Sequence, residues 1–116
     1  MKDLDVTLFP LRVLMEYDNT YKVHVARCLE TGSVATADDF DTVKDMIKEI
    51  LEDEIAFAIE NDNLPNLYST PAPLDVFKRW RGAVRSGNWE VMHLEIKPEE
   101  QSADVEDADV TVARAA

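Results

Sequence analysis

At 116 residues the chain has the length of one domain, and its 46% apolar content, with only three Gly and five Pro, is that of a folding chain and not of a low-complexity one. The net charge of −12 disfavours a general nucleic-acid binder, because phosphate contacts need concentrated Lys and Arg. No apolar run reaches bilayer length, the opening MKDLDVTLFPLRVLM does not read as a signal peptide, and the single cysteine, Cys28, cannot form an internal disulfide, so a reduced cytoplasmic setting is expected.

Residues 1–10 read as a lead-in, with Pro10 placed just before a strand that must donate N–H groups. From Leu11 the pattern alternates, with Leu11, Val13, Met15 and Tyr17 on one face and Arg12, Leu14 and Glu16 on the other, which predicts a strand with one well-buried face. The turn YDNT follows, then a second alternating run, Tyr21, Val23 and Val25 against Lys22, His24 and Ala26, which makes an antiparallel hairpin. Gly32 breaks the chain, and SVAT is a short third strand of a meander that needs a helical cover.

The cover is the next element. Asp38 or Asp39 is an N-cap, and a helix over about residues 40–60 gathers Phe40, Val43, Met46, Ile47, Ile50, Leu51, Ile55, Phe57 and Ala58 on one half of its circumference. Asp41, Asp45, Glu49, Glu52, Asp53 and Glu60 take the other half. Glu54 breaks the pattern by falling inside the apolar arc, where a carboxylate needs a partner or a route to the sheet edge. The stretch 64–73, LPNLYSTPAP, is expected to be a non-helical loop held extended by its prolines. A second helix over about residues 74–86 shares Val76, Phe77, Trp80, Ala83 and Val84 on one face and stops at Gly87. WEVMHLEI then reads as a fourth strand with Met92, Leu94 and Ile96 inward, and residues 98–116 as an acidic disordered tail beyond a single domain of residues 1–97. The expected fold is α+β, ordered β-β-β-α-α-β, with one sheet and one helical layer.

No catalytic set stands out. His24 falls on the polar side of its predicted strand and His93 opposite the inward residues of the fourth, and His24 and Cys28 would lie about 13 Å apart along a strand, too far to act as a pair. There is no CxxC, HExxH or EF-hand spacing and no glycine-rich phosphate loop, so neither a metal nor a cofactor is expected. Two surfaces remain. Residues 38–62 hold ten acids against two lysines, and Asp41, Asp45, Glu49, Glu52 and Asp53 make a face suited to a basic partner. The second helix carries the one basic cluster, with Lys78, Arg81 and Arg85 on a stripe beside Trp80, an alternative contact face.

The stretch EYDNTYKVHVARCLETGSVATADDFDTVKDMIKEILEDEI resembles the HicB-like antitoxin family. Asp18 matches the acidic hairpin turn and Tyr21 the aromatic that opens the second strand, while Leu29, Gly32, Val34, Ala35, Asp38, Phe40 and Asp41 occupy comparable places through the corner, third strand and helix entrance. The chain departs from the pattern at Glu30 and Thr31, at Ala37 and at Lys44, and it carries no helix-turn-helix or ribbon-helix-helix, the appendage with which many members bind DNA. The resemblance implies a non-catalytic, oligomeric protein-binding module that masks a small basic ribonuclease-type partner, HicA, and the missing appendage makes this chain a stand-alone member from which no direct DNA binding is expected. Two alternatives belong to other classes: a carboxylate enzyme using a divalent ion, and a structural protein whose Phe77, Trp80 and Trp89 seal a dimer.

Overall fold

The structure is a computed structural model and describes residues 11–96 and 106–115. The expected lead-in, residues 1–10, lies outside that range. The fold is α+β: strands β1 (Leu11–Asp18), β2 (Val23–Cys28) and β3 (Val34–Ala37), helices α1 (Phe40–Glu60), α2 (Leu64–Leu67) and α3 (Leu74–Arg85), then strands β4 (Trp89–Ile96) and β5 (Glu106–Arg114). The five strands form one sheet in the order β3-β2-β1-β5-β4. β1, β2 and β3 are the expected antiparallel meander, with Met15 opposite Ala26 and Ala26 opposite Ala35.

The turn between β1 and β2 is set by Asp18, whose Oδ1 accepts from the N–H groups of Thr20 and Tyr21 at 2.8 and 3.1 Å. That turn takes in Tyr21, which is 77% exposed and stands before the second strand, not in it. The residue in the left-handed region is Lys22, at φ 57°, and not one of the Asp or Asn residues the sequence offers.

α1 fills the range its periodicity predicts. Asp39 is the N-cap: its Oδ1 accepts from Thr42 N–H at 2.8 Å and its Oδ2 from the Thr42 hydroxyl at 3.0 Å. These donors hold the Asp39 carboxyl below the usual carboxylate range. A depressed folded pKa adds stability that is complete above the unfolded value, about 3.9, and is lost as pH falls through the lower folded value. Acid titration of the Asp39→Asn variant, followed by helical circular dichroism, is therefore expected to lose less of its thermal midpoint below pH 4 than the parent chain.

Val43, Ile47, Leu51 and Ile55 are 0% exposed and pack on Val13, Met15, Ala26 and Cys28. Burying each such side chain contributes roughly 1.5–3 kcal/mol. Two members of the expected apolar arc do not join them, since Met46 is 38% and Phe57 66% exposed at the outer margin of the helix.

Three expectations are corrected. The first concerns the layers. Leu14 of β1 is 0% exposed and packs with Leu29, Val76, Ala83 and Ala113 on the face away from α1. Arg12, on that same face, lies with its guanidinium carbon 5.3 Å from the Phe77 ring centroid and 5.1 Å from that of Trp80. So α1 covers one face of the sheet and α3 the other, and β1 is buried on both sides. The second concerns the prolines: residues 64–67 form the one-turn helix α2, because Pro65 sits at the start of the turn, where its missing N–H has no helical partner to lose.

The third concerns the tail. Residues 106–114 are not disordered but form β5, which lies between β1 and β4. β5 pairs in parallel with β1, Val13 opposite Val112, and antiparallel with β4, Met92 opposite Val110. Val110 and Val112 join the α1 side of the core while Ala113 joins the α3 side. Residues 98–105 of the expected tail lie outside the described residues.

Candidate functional site

The outer surface of α1 is the face the sequence singles out. Asp41, Asp45, Glu49 and Asp53 are all exposed, at successive i, i+4 positions, and form an acidic strip along the helix. None of the four takes part in a salt bridge among the described residues. Glu52, placed in the same set by the helical wheel, does something else. Its Oε2 accepts from Lys48 Nζ at 2.8 Å and from the backbone N–H of Glu95 at 2.8 Å. It therefore seals part of the free edge of β4, an edge that otherwise offers unpaired N–H groups to other chains.

Two more α1 residues tie the helix to its surroundings. Lys44 Nζ donates to Glu90 Oε2 of β4 at 2.9 Å. Glu54, the carboxylate inside the apolar arc, accepts at 2.6 Å from the hydroxyl of Ser33 in the turn between β2 and β3. Ser33 gives its proton to Glu54, so it accepts from the Thr31 hydroxyl, 2.8 Å away. A pairing of Glu54 with an α3 arginine is ruled out by the layering, since α3 lies across the sheet.

The basic helix splits by face. Lys78, Arg81 and Arg85 are exposed, as the sequence suggests. Trp80 is not beside them on the surface: it packs toward the sheet under Arg12, among the partly buried members of the α3-side core. The residue with the strongest ionic environment is Arg79, outside the predicted stripe. Its Nε and Nη2 bond to Glu16 at 2.6 and 3.1 Å and its Nη1 to Asp75 at 2.5 Å, and these carboxylates raise its pKa. Arg79 therefore fastens α3 to β1.

A cleft of about 280 Å³ opens at the N-terminal end of α1, lined by Met15, Tyr17, His24, Phe40 and Arg114. His24 stands on the α1 side of β2, in line with Ala26 and Cys28, and not on a polar face. Its ring meets Tyr17 edge-on at 5.0 Å and Phe40 at 6.4 Å. The Arg114 guanidinium covers the Phe40 ring at 4.0 Å. Sequence reasoning missed Arg114 because it assigned β5 to a tail. His93 is exposed, and its Nδ1 lies 2.9 Å from Asp109 on β5. Cys28 is buried in the core, and burial raises its thiol pKa, which disfavours the reactive thiolate.

Among the described residues no group of three His, Cys, Asp or Glu side chains is placed to hold a metal ion, and no helix is long and apolar enough to cross a membrane. No family model matches the chain, and no curated protein and no solved structure matches it either.

Proposed function

We propose that this chain is a non-catalytic, HicB-like protein-binding module of antitoxin type, acting in the cytoplasm, that masks a small basic ribonuclease-type partner of the HicA kind. The observation that carries the reading is the strip of Asp41, Asp45, Glu49 and Asp53, four carboxylates facing solvent on one helix, none of them in a salt bridge among the described residues. Such a strip steers a basic protein toward the helix and fixes its orientation there. The order of meander and covering helix, β1-β2-β3-α1, is the one the family resemblance implies and adds support. Glu52 drops out of the docking set, since it is committed to Lys48 and to the β4 backbone.

The module is a dimer in this proposal, and the surface for a second copy is the outer side of β4, where Trp89 is 52% and Val91 56% exposed. The test is to identify the neighbouring genes, which on this reading include one for a small basic protein of toxin size, and to titrate that protein calorimetrically, with the mass of each species read by light scattering; a neighbourhood without such a gene counts against the reading. The parent should bind, and the Asp45→Lys/Glu49→Lys variant should bind tenfold or more weaker with a flatter salt dependence, at about the scale expected when steering charges are reversed. Unchanged affinity in the variant, or no binding by the parent, overturns the docking face. A mass equal to one chain at every concentration overturns the dimer.

A further inference from the structure

We propose that the cleft at the C-terminal end of α1 is a receptor for a guanidinium group, an arginine side chain of the basic partner. The inference deepens the reading above and rests on it for the identity of the partner, though not for the chemistry of the cleft. Four observations converge. The cleft holds about 250 Å³ and is lined by Thr31, Glu54, Phe57, Asn63 and Asn66 among others, a volume below that of drug-sized ligand sites and suited to one side chain.

Glu54 supplies the charge. One of its oxygens accepts from Ser33, and the other has no hydrogen-bond partner among the described residues. The neighbouring hydroxyls hold the carboxylate in place and do not neutralise it. Phe57 supplies the surface: it is 66% exposed at the rim, an aromatic ring left in water at the end of an otherwise well-packed helix. A flat cation stacks on such a face.

The helix supplies the field. α1 is 21 residues long and has no basic residue in its last turn. Its final carbonyls are bonded, Phe57 O by the backbone and side-chain N–H of Asn61 and Ala58 O by Asn63 N–H. The donors are neutral amides, so the negative end of the helix dipole has no counter-charge from its own last turn, where a cation is favoured. The side-chain amides of Asn63 and Asn66 add acceptors at the rim. A planar group with five fixed donors fits a carboxylate, an aromatic face and amide oxygens together better than a compact ammonium does. The strip from Asp41 to Asp53 leads along the helix to this end, so a basic partner steered by the strip arrives at the cleft.

The experiment uses the full chain labelled with ¹⁵N and two capped tripeptides, Gly-Arg-Gly and its citrulline counterpart, which keeps the shape and removes the charge. The arginine peptide should give saturable amide shifts confined to residues 31–33, 54–58 and 63–67, and the citrulline peptide should not. Glu54→Gln keeps an acceptor for Ser33, so the fold is retained. It should weaken the arginine peptide about tenfold, the scale of a lost charged hydrogen bond. Phe57→Ala should weaken it about threefold. Equal shifts with both peptides, shifts elsewhere, no saturable shift, or an unaltered Glu54→Gln titration overturns the proposal. The two readings fail separately. If a basic partner binds through the acidic strip while the peptide ignores the cleft, only the cleft's role falls. If the peptide binds and no basic neighbour does, the wider function falls and the cleft stands.

Discussion

Removing residues 98–116 is expected to abolish the cooperative fold. A disordered acidic tail would come off at no cost, and its loss would even relieve charge repulsion. β5 makes the opposite outcome necessary. It is the second-from-edge strand of the sheet, and β4 pairs with no other strand. Without it β4 detaches, and Met92, Leu94 and Ile96, now 5%, 0% and 0% exposed, go with it. β1 would then present an open backbone edge where Leu11 to Met15 now meet Val110 to Arg114. Val110, Val112 and Ala113, all at most 2% exposed, leave both sides of the core. Five buried Val, Leu, Ile and Met side chains at roughly 1.5–3 kcal/mol each, with Ala113 and two strand ladders besides, are as large as the roughly 5–15 kcal/mol by which a domain of this size is stable. The truncated chain should lose its cooperative thermal transition and the dispersion of its amide resonances. A truncated chain that still melts cooperatively near the parent's midpoint would remove β5 from the sheet.

The contrast between α1 and β5 explains what could be read from the residues. α1 repeats its apolar positions over five turns, so Val43, Ile47, Leu51 and Ile55 announce both the helix and its buried face, and Asp39 marks its start. β5 has only Val110, Thr111 and Val112 to show alternation, with Glu106, Asp107 and Asp109 beside them. Acidic and small residues disfavour strands locally, and pairing on both sides overrides that preference. The same missing strand misplaced the layers. A β1 with Leu14 on its supposed outer face signals burial on both sides, but only a second helix packed there and a neighbour on the far edge make the signal legible. The acidic strip was legible because exposed charges at i, i+4 depend on α1 alone. Glu52, Glu54 and Trp80 were not, because what each touches is fixed by elements distant in the chain.

The crossover between the two helical layers gives the other large expected effect. Leu67 and Tyr68 pack on the α1 side of the core and Ala72 on the α3 side, so the chain passes around the sheet between them. It does so against the turn that joins β2 and β3. Ala72 N–H donates to Leu29 O at 2.9 Å, Leu29 N–H donates to Arg12 O at 2.8 Å, and Glu30 accepts from both the backbone and the side chain of Arg12. Gly32 stands where the two segments touch. Its φ is +77°, and a Cβ there would lie 2.2 Å from the carbonyl oxygen of Thr70. The obstacle is backbone, held in place by the bonds just named, so it cannot rotate away as a side chain would. Gly87 supplies the comparison: its φ of +83° imposes a similar torsional cost, but nothing lies within 4 Å of the added carbon. Gly87→Ala should therefore cost about 1 kcal/mol, the torsional part alone. Gly32→Ala adds the displacement of the crossover and the loss of the Ala72 to Leu29 bond. Its cost should reach roughly 3–4 kcal/mol when strain and a broken buried bond act together. Urea denaturation of the two variants measures the difference directly. Equal midpoints would mean that the 70–72 segment does not rest on the Gly32 turn, and the route by which the chain reaches the second face of the sheet would have to be redrawn.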